Sequence, residues 1–138
     1  MERTGSSGHR PDGNEEVVVT TQVDQVVREI RVRWTHVGFH YWPDAPAHRA
    51  YLAARHRHLF HYTVTIPVEH HDREVEFHDL LDACRAFTDA WGDELGRSSC
   101  EEMAEGIARH IAQQYPGRRI VATASEDGEV DAVVTYTP

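Results

Sequence analysis

The hydrophobic period of this chain changes twice, and that double change restricts the fold more than any other feature. From Arg28 to Trp34 the residues alternate: Ile30, Val32 and Trp34 are apolar, while Glu29, Arg31 and Arg33 are charged. A period of two is that of a half-buried strand. A second strand is predicted from about His58 to Val68, with Phe60, Tyr62, Val64, Ile66 and Val68 on one face and His61, Thr63 and Thr65 on the other. The period then becomes helical. Phe77, Leu80, Leu81, Cys84, Phe87 and Trp91 form one stripe, and Met103, Ile107, Ile111 and Tyr115 form another. Ser99 with Glu102 three residues on makes a capping box for the second helix, and Pro116-Gly117 ends it. The period returns to two in RRIVATASE and EVDAVVTY, joined by Asp127-Gly128, a strong hairpin signal. The order ββααββ predicts an α+β domain: a four-stranded antiparallel sheet with two helices on one face. Such a sheet has open edges, and edges of this kind favour pairing with another copy.

The predicted domain runs over residues 28–138, preceded by a disordered or extended tail over residues 1–27. Residues 1–16, MERTGSSGHRPDGNEE, carry Gly, Ser, Pro and charge and no aliphatic or aromatic residue after Met1. The following VVVTTQVDQVV reads as a linker or an added edge strand. The 23 acidic residues outnumber the 14 basic ones for a formal net charge of −9, which argues against tracking a nucleic-acid backbone. The apolar runs are too short to span a membrane, and the first thirty residues hold no secretory h-region. Two cysteines, Cys84 and Cys100, have no metal or redox spacing, so a cytoplasmic protein is expected.

Histidine is the unusual component: 11 residues, ten of them between His36 and His110. His56 and His58 stand two apart at the start of a strand, so they project to one side with Phe60 and Tyr62. A catalytic zinc takes three protein ligands and keeps a fourth position open. His36 and His40 both share the parity of Ile30, Val32 and Trp34, and His40 is the favoured third ligand because it lies at the strand end next to the loop returning to His56; His36 and His48 are the alternatives.

Four segments resemble the 6-pyruvoyl-tetrahydropterin synthase and 6-carboxy-tetrahydropterin synthase family, which has the tunnelling fold. HRHLFHYTVTI from His56 is similar to the family's H-G-H and its strand. VEFHDLL from Val75 resembles M-D-F-x-D-L, SSCEEMAEGI from Ser98 resembles P-T-S-E-N-L-A, and IVATASE from Ile120 resembles V-x-V-x-E-T. The resemblance implies zinc on His40, His56 and His58, and a ring-binding glutamate, here Glu126. It also implies a homo-oligomer, trimer or hexamer, whose sheets close into a barrel. The implied function is lyase chemistry on, or binding of, a pterin- or purine-like heterocycle of the dihydroneopterin-triphosphate type. Alternatives are a heterocycle-binding module without turnover and a zinc-assisted nucleotide hydrolase.

The departures are specific. Arg57 stands where the family has glycine, Leu52 where it has a cysteine, and TDAWGDELGRSS where it has L-D-H-x-x-L-N. Candidate replacement acids and bases are Cys100, in the first turn of the second helix where the dipole lowers a thiol's pKa, and the pair His71 and Asp72. Ser99 and Cys100 also offer backbone N–H groups to an acidic substrate tail.

Overall fold

The computed structural model describes residues 24–138, so most of the predicted tail lies outside the described residues. Five strands form one sheet in the order β3-β1-β2-β4-β5. They are β1 (Arg28–His40), β2 (His56–Val68), β3 (Glu94–Gly96), β4 (Ile120–Glu126) and β5 (Val130–Tyr136). Helix α1 (Phe77–Asp89) packs over β1, and α2 (Cys100–Gln114) packs over β4 and β5.

The alternation read from sequence is the burial pattern of the sheet. Phe60, Tyr62, Val64 and Ile66 of β2 are fully buried beneath the helices, beside Val32 and Trp34 of β1 and Ala122 and Ala124 of β4. The second helix meets them with Met103, Ile107 and Ile111, with Ala104 and Ala108 filling the narrower gaps. Trp34 also satisfies its indole, donating to the buried Thr88 hydroxyl at 3.0 Å. Ser99 caps α2 by accepting from the Glu102 N–H, the half of a capping box that its sequence spacing predicts.

Three expectations are corrected. The sheet has five strands instead of four, and the added strand, β3, runs parallel to β1. Three residues are too few to show a period in the sequence. The first strand ends at His40, as its parity with Trp34 predicts, and Gly38 lets Leu95 and Phe60 pack closely there; a Cβ on Gly38 would stand 2.6 Å from Leu95 Cδ1. The loop after β1 holds short 3₁₀ turns over Ala47–Ala53, interrupted at Arg49. Phe77 opens α1 but is 52% exposed and does not join the apolar stripe. It sits at the helix tip, where Glu76 caps the first turn by accepting from the His78 and Asp79 N–H groups.

Two substitutions test this division between core and surface. Ile107→Ala is expected to lower stability in urea unfolding by about 2–5 kcal/mol, the range for a large-to-small core change. Phe77→Ala is expected to stay within about 0.5 kcal/mol of the parent.

Candidate metal centre

Antiparallel pairing of β1 with β2 sets His40 directly opposite His56, and Gly38 opposite His58. His58 lies two residues along from His56 on the same face. One ligand atom from each of His40, His56 and His58 lies within 4.8 Å of the others, so this group can hold a metal ion. The imidazole rings of His40 and His58 rest against Phe60, with centroids 5.2 and 5.4 Å away, which makes the floor of the cluster apolar. His36 instead faces the Tyr62 hydroxyl at 3.4 Å, and His48 lies in the exposed 3₁₀ turns. Neither belongs to the group.

Each of the three rings is oriented through its Nδ1. His40 Nδ1 is 2.9 Å from the Ser98 carbonyl, His56 Nδ1 is 2.8 Å from the Ala54 carbonyl, and His58 Nδ1 is 2.7 Å from Asp127 Oδ2. All three partners are acceptors, so each Nδ1 carries the proton and donates it. In the neutral ring Nε2 then holds the free lone pair. The Nε2 atoms of His40 and His58 are buried and have no hydrogen-bond partner. A buried polar atom without a partner is costly, and a cation accepts that lone pair. Burial also pulls His40 below the ordinary histidine range, against the opposing effect of the Ser98 carbonyl, which favours the neutral, ligating form.

The partners come from three places in the chain. Ala54 ends the 3₁₀ turns, and Ser98 follows β3. The short β3 is what carries Ser98 to His40: its backbone holds β1 through Phe39 N–H to Asp93 O and Tyr41 N–H to Gly96 O. Asp127 is the first turn residue between β4 and β5, at φ 56°. Its other oxygen accepts from the Leu59 N–H at 2.9 Å. These two hydrogen bonds, the one from His58 the larger effect, hold its carboxyl below the usual aspartate range. Sequence reasoning took Asp127 only as a turn former, and the two main-chain carbonyls leave no mark in residue type.

The cluster opens on a cleft of about 690 Å³ bordered by Trp42, Leu52, Ser99, Cys100, Glu126 and Val133. Glu126, the last residue of β4, lies opposite Phe60. Its Oε1 is 3.3 Å from His40 Nε2, and its Oε2 is 3.5 Å from His58 Nε2. Cys100 Sγ points at the same carboxylate, 3.9 Å from Oε1. The expected low thiol pKa is corrected: burial, then the charges of Glu126 and Glu101, push Cys100 up to about 12. The helix N-terminus does not overcome nearby carboxylates in a half-dry pocket. His71 and Asp72 are exposed in the loop beyond Val68, at the other end of β2. Ten residue steps along the strand separate His58 from Val68, about 33 Å.

Asp127→Asn keeps a residue that tolerates positive φ but removes the charge behind His58. It is expected to weaken divalent-metal affinity by about 10–100-fold in chelator competition, with little change in thermal unfolding of the metal-free protein.

No protein-family model and no curated protein matches the sequence. Solved structures do match. Two are Plasmodium vivax 6-pyruvoyltetrahydropterin synthase carrying substitutions of a catalytic residue, and a third is the Plasmodium falciparum enzyme. Each aligns over 83% of this chain and 100% of its own, with a TM-score of 0.64 and 12% sequence identity. The chain therefore has the fold of the 6-pyruvoyltetrahydropterin synthases, the tunnelling fold.

Proposed function

We propose that this is a zinc protein with a pterin-synthase-type site that binds a pterin- or purine-like heterocycle of the dihydroneopterin-triphosphate type. The observation that carries this reading is the set of three histidines, each with Nδ1 committed to an acceptor, around the partnerless Nε2 atoms of His40 and His58. Three imidazoles in an apolar, partly open pocket suit zinc, which takes nitrogen ligands and leaves a position for substrate. Bound there, zinc would supply a Lewis acid to a carbonyl or hydroxyl of the substrate's side chain.

The chain's own groups divide the rest of the work. Glu126 accepts parallel N–H bonds from the ring, the pairing a carboxylate is shaped for. The backbone N–H groups at Ser99 and Cys100, at the start of α2, meet an acidic tail. Cys100 stays protonated at neutral pH, so its thiol serves as a donor and not as a ready nucleophile. A proton role for His71 and Asp72 in this pocket requires the loop of a neighbouring copy. β5 pairs only with β4 among the described residues, and its Val130 and Val133 are exposed, which supports a homo-oligomer, trimer or hexamer, joined along this edge.

A binding role without synthase turnover is favoured by one observation: Leu52 lines the cleft, and leucine cannot move a proton. A positioned acid or base contributes about 10²–10⁴-fold. Turnover of dihydroneopterin triphosphate is therefore expected to be absent, or at least about a hundredfold below an ordinary rate of about 10 s⁻¹, while calorimetry detects ring binding. Metal analysis is expected to give about one zinc per chain, lost in His56→Ala and in His58→Ala. Full zinc in both variants, or no heterocycle binding, would overturn the reading. Light scattering is expected to give a multiple of the 15.8 kDa chain mass, and a monomer would remove the oligomer from it.

A further inference from the structure

The Glu126 carboxylate is in an unusual position for a group whose only task is to hold a ring. Its two oxygens face the lone pairs of two different imidazoles, at 3.3 Å from His40 Nε2 and 3.5 Å from His58 Nε2. With both Nδ1 atoms donating elsewhere, four electron-rich atoms converge and no hydrogen bond joins them. Lone pairs so arranged repel unless a cation lies among them. The separations also have a meaning of their own. Ligands around a tetrahedral ion with bonds of about 2.0–2.1 Å stand about 3.3–3.4 Å from one another. Each carboxylate oxygen is about that far from one imidazole nitrogen, Oε1 from His40 Nε2 and Oε2 from His58 Nε2, while the group within mutual ligand reach is the three histidines.

We propose that Glu126 is a displaceable fourth ligand, closing the coordination sphere of a metal held by His40, His56 and His58 until a bound molecule draws the carboxylate away. This rests on the metal reading above and changes its consequence: the site is closed at rest, and a substrate oxygen reaches the metal only by ligand exchange. One metal–oxygen bond is lost and one is made, with no proton or electron to account for. The side chain is suited to this. It is 32% exposed to the cleft, and among the described residues its one side-chain hydrogen-bond donor is the Cys100 thiol, at 3.9 Å. A carboxylate has room for about four hydrogen bonds, so a heterocycle offering two N–H groups competes well for it. Ring recognition and metal opening then become one event.

Cobalt(II) serves as the probe, because its visible bands report coordination without any turnover. Metal-free parent, Glu126→Ala and Glu126→Gln are each loaded with cobalt, titrated with azide and assayed for cobalt affinity by chelator competition. The parent's bands are expected to resist excess azide, while both variants shift as azide takes the vacated position. Cobalt affinity is expected to fall at least about tenfold in Glu126→Ala. The glutamine variant keeps the shape of the side chain and covers the case in which the alanine variant fails to fold. Equal azide sensitivity in parent and variants, or equal cobalt affinity, would overturn the proposal while leaving a three-histidine metal site in place. Failure of the parent to bind cobalt would overturn the metal reading and this inference together. Binding of neopterin, titrated separately, reports on ring recognition alone.

Discussion

The antiparallel register of β1 on β2 is the constraint from which the site follows. Pairing Arg28 with Val68 at one end makes His40 pair with His56 at the other, twelve positions along. A slip of one residue would turn every side chain of the strand to the opposite face, taking His40 away from His56 and Trp34 out of the core together. Register is held by the burial of Phe60, Tyr62, Val64 and Ile66 under the helices, so hydrophobic packing in the middle of the strand aligns ligands at its end. The metal group thus draws its precision from apolar contacts that never touch it.

The groups that orient the rings differ in how they can be lost. Ser98 and Ala54 act through main-chain carbonyls, so no substitution of their side chains removes the acceptor. The fold itself supplies these two, through β3 and through the chain's return from the 3₁₀ turns. Asp127 acts through its side chain, and it alone sets a full negative charge behind a ligand. A carboxylate behind an imidazole fixes its tautomer and orientation, so His58 is the one ring of the three held by a charged partner.

Much of this was legible in the residues. Strict alternation disclosed both long strands, since one face of each is apolar beneath the helices and the other carries polar side chains. The spacing of His56 and His58, with the parity of His40, brought together the group that the structure assembles. What stayed hidden has physical reasons. β3 has three residues and exists because β1 offers it an edge, which no local pattern encodes. The Cys100 thiol was misread because a helix N-terminus is visible in sequence, whereas the Glu126 and Glu101 charges beside it are brought there by folding. Phe77 fits a helical stripe by spacing, but the first turn overhangs the sheet and leaves it in water.

The hairpin between β4 and β5 is a short one of three residues, Asp127, Gly128 and Glu129, and Asp127 is the first of them. Hairpin tips are ordinarily where chains accept insertions, because nothing depends on them. Here the tip is pinned on its inner side: Asp127 holds both the His58 ring and the Leu59 N–H, and Gly128 lies against the His61 ring. Lengthening this turn by even one residue would carry the carboxylate off His58 while leaving the sheet intact. In this chain the length of this one loop is therefore set by the His58 ring, as the return from β1 to β2 is set by the Ala54 carbonyl on His56, and the exposed turn before α1 carries no such constraint.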